Sequence, residues 1–147
     1  MSVLAYIVAG EEDEMVAIGE AAQPLVEWSG AQVRGLDTAK AVMLHCLLTG
    51  DEFDLAVAHY EPVYVAEREE RETVLLRIAD EAMEKLSVLD EDALAEVAEE
   101  LAATEEFEMD GWDVEQVYDL LLEFANLARL AESQGQLLFV WMQREME

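Results

Sequence analysis

The chain has 147 residues, 53% of them apolar, and carries 35 Asp and Glu against 8 Lys and Arg for a formal net charge of −27. That length suits one domain burying roughly 70% of its unfolded surface, and the apolar content excludes a disordered acidic tail. The charge argues against contact with nucleic-acid backbones and with anionic membranes, and a lone Cys forms neither an internal disulfide nor a four-Cys zinc site.

The elements are predicted in chain order. Residues 2–9 are apolar but lack the basic leading segment of a secretory signal, and four acids follow at Glu11–Glu14, so a first strand is expected there. Glu11 to Ala22 reads as a helix whose acidic first turn suits the positive end of its dipole. Asp37 to Leu48 is apolar nearly all round with Gly50 as a stop, which predicts a helix central to the core. Phe53 to Tyr60 fits either a strand or a helical turn. Val63-Tyr64-Val65 reads as a short strand after Pro62, and both prolines, Pro24 and Pro62, mark element boundaries.

The second half is more regular. Leu75, Ile78, Ala79, Ala82, Met83 and Leu86 recur at three- and four-residue steps, predicting an amphipathic helix over 73–87. Asp90 is suited to cap the next helix, with stripe Leu94, Val97, Ala98, Leu101 and Ala102. The last helix is expected from Asp113, with Gln116 completing a capping box, to just before Gly135. Its stripe is Val114, Val117, Tyr118, Leu121, Phe124, Ala125 and Ala128. Leu137 to Trp141 is a continuous apolar run and predicts a buried strand. The whole is an α+β fold, one domain over 1–147, with several helices packed on a small sheet that includes the N-terminal and C-terminal strands. No apolar run reaches the roughly 18 residues of a membrane span, and a cytoplasmic location is expected.

Enzyme signatures are missing. The sequence contains no Gly-rich phosphate loop, nucleophile elbow or HExxH helix. His45 and Cys46 are adjacent, which on a helix points them about 100° apart and unfits them as a base–nucleophile pair. Cys46 is expected in the core and His45 as a hydrogen-bonded helix residue. The three Trp, at 28, 112 and 141, are expected in core or rim packing.

What stands out is the placement of acid. Between Asp80 and Glu123 lie 17 Asp and Glu and one base, Lys85, so this segment carries −16 of the net −27. Acids four apart, at 92/96, 96/100, 115/119 and 119/123, each cost a helix roughly 0.2–0.5 kcal/mol, on the order of 1–2 kcal/mol together. Adaptation to a salty cytoplasm accounts for this as well as steering onto a basic partner does.

Three stretches resemble the YfbM-like family of uncharacterised bacterial proteins: Leu47-Leu48-Thr49-Gly50 with His45 before it on a helix opening near Leu36-Asp37, Trp112-Asp113 with Tyr118, Leu121 and Phe124 on the following helix, and Gly135 with Leu138-Phe139-Val140-Trp141. The resemblance covers residues 33–142 and departs before His45, where Ala41, Val42 and Met43 stand in place of an aromatic. It implies a small α+β cytoplasmic protein with no established activity and no cofactor, and it suggests immunity toward bacterial toxins; it brings no catalytic residues.

The expectation is a non-enzymatic immunity protein that binds a basic toxin or effector and blocks its active site, without a cofactor or a metal. Its partner face is expected at Glu99, Glu100, Glu105, Glu106, Glu108, Asp110, Asp119 and Glu123, with carboxylates standing where the toxin would otherwise hold phosphates. The alternatives are a small metal-dependent enzyme or binder using His45, His59, Asp51 and Asp54, and a DNA-mimicking inhibitor.

Overall fold

The computed structural model describes residues 4–68 and 70–145. Five antiparallel strands, β1 (Leu4–Gly10), β2 (Ser29–Arg34), β3 (Tyr64–Arg68), β4 (Arg71–Arg77) and β5 (Leu137–Glu145), form one sheet in the order β2-β1-β5-β4-β3. The two terminal strands of the sequence are neighbours at its centre, as the α+β reading expects. Among the described residues seven α-helices accompany them: α1 (Met15–Glu20), α2 (Thr38–Thr49), α3 (Phe53–Ala56), α4 (Asp80–Ser87), α5 (Glu91–Ala102), α6 (Glu105–Glu108) and α7 (Val114–Gln134).

Strand register explains why β1 and the Leu137–Met142 part of β5 are apolar at successive positions rather than at alternate ones. Ile7 lies opposite Ala31 on one side and Val140 on the other, and Val140 lies opposite Leu76. That row faces the main core with Leu44, Leu86, Leu94, Leu101, Leu121 and Phe124 from the helices. One residue along, Tyr6, Trp141, Leu75 and Tyr64 form the row on the opposite face. There Ile18 and Met15 of α1, with Leu25 and Trp28, cover a second, smaller core. Strands buried on both faces read as continuous hydrophobic runs. Close approach of α1 to β3 needs a residue without a side chain, since a Cβ on Gly19 would lie 2.3 Å from the Tyr64 ring.

The caps predicted at Asp90 and Asp113 form, and Asp37 caps α2 as well. Asp37 accepts from the Lys40 amide at 2.9 Å, Asp90 from Ala93 at 2.8 Å, and Asp113 with Gln116 makes the reciprocal capping box on α7. Gly135 ends α7 in the left-handed conformation at φ 67°. Leu94, Ala98 and Leu101 are buried on α5, and Val117, Leu121, Phe124, Ala125 and Ala128 on α7, whereas Val114 at the start of α7 is exposed. The Phe53–Tyr60 segment is helical, α3 running into a 3-10 turn.

Three expectations are corrected. The helix over 73–87 is two elements, β4 and then α4 from Asp80; Leu75 and Leu76 point to opposite faces of the sheet, so their fit to a helical period is accidental. The Glu11–Ala22 helix is a 3-10 turn over Glu12–Glu14 followed by the shorter α1. β2 is absent from the sequence reading, because the alternation of Ala31-Gln32-Val33-Arg34 is only four residues long with one β-branched side chain, and the strand is held by pairing to β1. Among the described residues no helix is long and apolar enough to cross a membrane.

Candidate functional site

Two arrangements of polar side chains have the density of a site: a buried cluster around α2 and the exposed acids of α5, α6 and α7.

The buried cluster begins with the end of α2. Gly50 takes φ 82° as its C-cap, and this turn returns the chain so that Asp51 faces the helix it has just left. Asp51 Oδ2 stands 2.8 Å from His45 Nε2, and the other ring nitrogen, Nδ1, is 3.0 Å from the Tyr60 hydroxyl. The Ala79 amide donates to that hydroxyl oxygen at 3.2 Å. Both ring nitrogens of His45 are thereby engaged, Nδ1 by the phenol of Tyr60 and Nε2 by the carboxylate of Asp51. His59 stacks on His45 with ring centroids 5.6 Å apart.

Environment tunes these groups. The hydrogen bond from His45 is the main reason the Asp51 carboxyl sits below its ordinary 3.8. Burial pushes the Tyr60 hydroxyl up to about 12, and the half-buried Cys46 thiol is likewise raised by burial and then by Asp51. Cys46 borders the main core rather than lying inside it.

His45 and Tyr60 are both almost fully buried, and the two ring nitrogens of His45 already have protein partners. Among the described residues no group of three or more His, Cys, Asp or Glu is placed to hold a metal. Asp54 lies exposed on α3, apart from these hydrogen bonds. Tyr60→Phe should lower stability by about 1–3 kcal/mol, because it strips partners from His45 Nδ1 and the Ala79 amide while leaving the ring in place. Urea titration checks this; an unchanged midpoint would show the hydroxyl to be energetically idle.

A second buried group is unexpected. Lys40 of α2 is 1% exposed, its ammonium paired with Asp37 at 3.1 Å and with Asp110, and 5.8 Å from the centre of the Phe107 ring. Nothing in an apolar helix pattern marks a lysine as interior; the acids that receive it come from the cap and from 70 residues away. The hydrogen bond from Lys40 holds the Asp110 carboxyl below its ordinary 3.8.

Asp51 and Asp110 therefore share a sign. A carboxyl whose folded pKa is depressed contributes stability that is fully present above its unfolded value, near 3.8, and lost as pH falls through the folded value. In Asp51→Asn/Asp110→Asn the fall in melting temperature between about pH 4 and pH 2 is expected to be shallower than in the parent, as read by circular dichroism. An equal slope would locate acid sensitivity in other groups.

The acids expected to meet a partner are distributed over three helices. Glu99 and Glu100 lie exposed on the C-terminal half of α5, Glu105 and Glu108 exposed on α6 with Glu106 half-buried, and Asp119 and Glu123 exposed on α7. Asp110 alone of the eight makes a salt bridge with a described residue, so it serves the fold as well as the surface. Met109 stands 77% exposed among them. Asp119 and Glu123 are brought together with Trp112, Leu122, Gln32 and Val33 around a concavity of about 450 Å³ between α7 and β2. Sequence reasoning found these two acids but not their concavity, because β2 supplies its other wall.

Fold and site thus define an acidic α+β protein with a helical layer on one antiparallel sheet and unneutralised carboxylates on that layer. No protein-family model matches the sequence, and no curated protein matches it. Among solved structures the chain is similar to the crystal structure of YfbM, a protein of unknown function from Escherichia coli, with 15% identity, 95% of this chain and 99% of that chain covered, and a TM-score of 0.45.

Proposed function

We propose that the protein is a non-enzymatic acidic binding module whose partner is a basic protein, and that it acts as an immunity protein by covering the active site of a bacterial toxin or effector that handles phosphate or nucleic acid. One observation carries the reading: of the eight acids of the expected partner face, all but Asp110 make no salt bridge with a described residue, although like charges four apart on α5 and α7 cost those helices stability. Carboxylates held on helices offer the acceptors that a partner's Arg and Lys side chains would otherwise give to phosphate. Exposed Met109 adds the kind of apolar contact that protein interfaces favour. Hydrogen bonds to Tyr60 and Asp51 already engage both ring nitrogens of His45, which weighs against its use as a ligand or base.

The test is cross-linked capture from source cells at low ionic strength, followed by assay of the captured protein's own activity. A basic partner whose action on nucleic acid or another phosphate is abolished by one equivalent supports the proposal. A neutral or acidic partner, or a basic one whose activity is untouched, overturns the inhibitor reading.

A further inference from the structure

The concavity beside Trp112 differs from the three other described ones in what lines it. Two of those contain an arginine, Arg144 or Arg77, which neutralises nearby acid, and the third, beside Trp28, has the single carboxylate Glu27. The Trp112 groove has two carboxylates and no base. Asp119 and Glu123 are four apart on α7, so they project from the same face of the helix as neighbours. The same groove is lined by Val33 of β2, Leu122 of α7 and the partly exposed Trp112, whose indole is held edge-on to Phe107 with centroids 5.3 Å apart at 84°. An indole fixed by packing and bordered by two acids suits a side chain that is flat, cationic and apolar along its stem. Guanidinium meets all three requirements, stacking on Trp while its N–H groups reach carboxylates; a compact, strongly hydrated ammonium meets them less well.

We infer that this groove is the anchor point of the acidic face and takes an arginine side chain of the basic partner. The inference rests on the proposed binding function and deepens it, because it turns diffuse attraction into a specific contact. Charge complementarity selects the occupant: the groove lies within the segment that carries −16 of the net −27.

The experiment uses the isotopically labelled full chain and two peptides, (Gly-Arg)4 and (Gly-Lys)4, titrated at about 20 mM salt, where surface charges are weakly screened. Chemical-shift changes are expected to concentrate on Val33, Leu122 and the Trp112 indole, with the arginine peptide favoured about threefold or more. Asp119→Asn/Glu123→Gln, a surface change that relieves helix repulsion and should fold, is expected to weaken arginine-peptide binding about fivefold or more. Glu99→Gln/Glu100→Gln, with the same loss of charge outside the groove, should weaken it less than twofold. Shifts spread along α5 and α6, equal loss in both double variants, or equal affinity for the lysine peptide would overturn the groove while leaving the acidic-face reading intact. Concentration-dependent shifts at the groove without peptide would overturn it in favour of a second copy of the chain. Absence of any binding at low salt would remove both inferences.

Discussion

Reversal of three acids in the 99–119 segment, Glu99→Lys/Glu106→Lys/Asp119→Lys, is expected to slow association with the basic partner by about tenfold or more at low salt. The three changes raise the net charge by six, from −27 to −21. A second variant, Glu20→Lys/Glu27→Lys/Glu61→Lys, makes the same change at exposed positions outside α5, α6 and α7. If the face at α5–α7 steers the partner, the first variant slows and the second changes far less. If only the overall field matters, both slow alike and the contact face is elsewhere. Most of the effect should lie in the association rate, because solvent-exposed charges act during approach. Repeating the stopped-flow measurement near 1 M salt, where the Debye length is about 3 Å, should bring parent and variant together.

Trp141→Ala is expected to cost about 3–5 kcal/mol, the range for deleting a large aromatic from a packed interior. For a chain of this size that corresponds to a melting temperature lower by roughly 6–20 °C. Trp141 is 1% exposed at the centre of β5 and packs on Tyr6 with ring centroids 5.3 Å apart. It belongs to the smaller core on the face of the sheet turned away from α5 and α7. Its indole N–H finds no hydrogen-bond partner among the described residues. Trp141→Phe, which removes that orphan donor and keeps an aromatic body, should therefore lose much less. Differential scanning calorimetry separates the two; equal losses would mean that shape at this site outweighs burial. Neither variant should alter partner association below its melting transition.

Legibility in the sequence followed the range of the forces involved. α5 and α7 were readable with their caps because Asp90, Asp113, Gln116 and Gly135 act within four residues of their partners. The boundary inside 73–87 was not, because Leu75 and Leu76 are apolar in either conformation and only pairing with β5 decides that they alternate across a sheet. β2 depends wholly on its neighbour. In the candidate site, Asp119 and Glu123 were readable as an exposed stripe, while Trp112 beside them became meaningful only when β2 closed the groove.

His45 shows the same division. The helical pattern of α2 marked it as a hydrogen-bonded helix residue, and Gly50 marked the helix stop, but that Asp51 returns to Nε2 and Tyr60 arrives at Nδ1 required the folded chain. Lys40 is the extreme case, since its burial depends on Asp110 arriving from beyond α6. The sequence by itself determined the class of fold, the capped helices and the excess of negative charge, all of which follow from composition or from interactions a few residues long. Only the tertiary structure decided which carboxylates serve the interior and which remain at the surface, because that depends on where distant segments meet and exclude water.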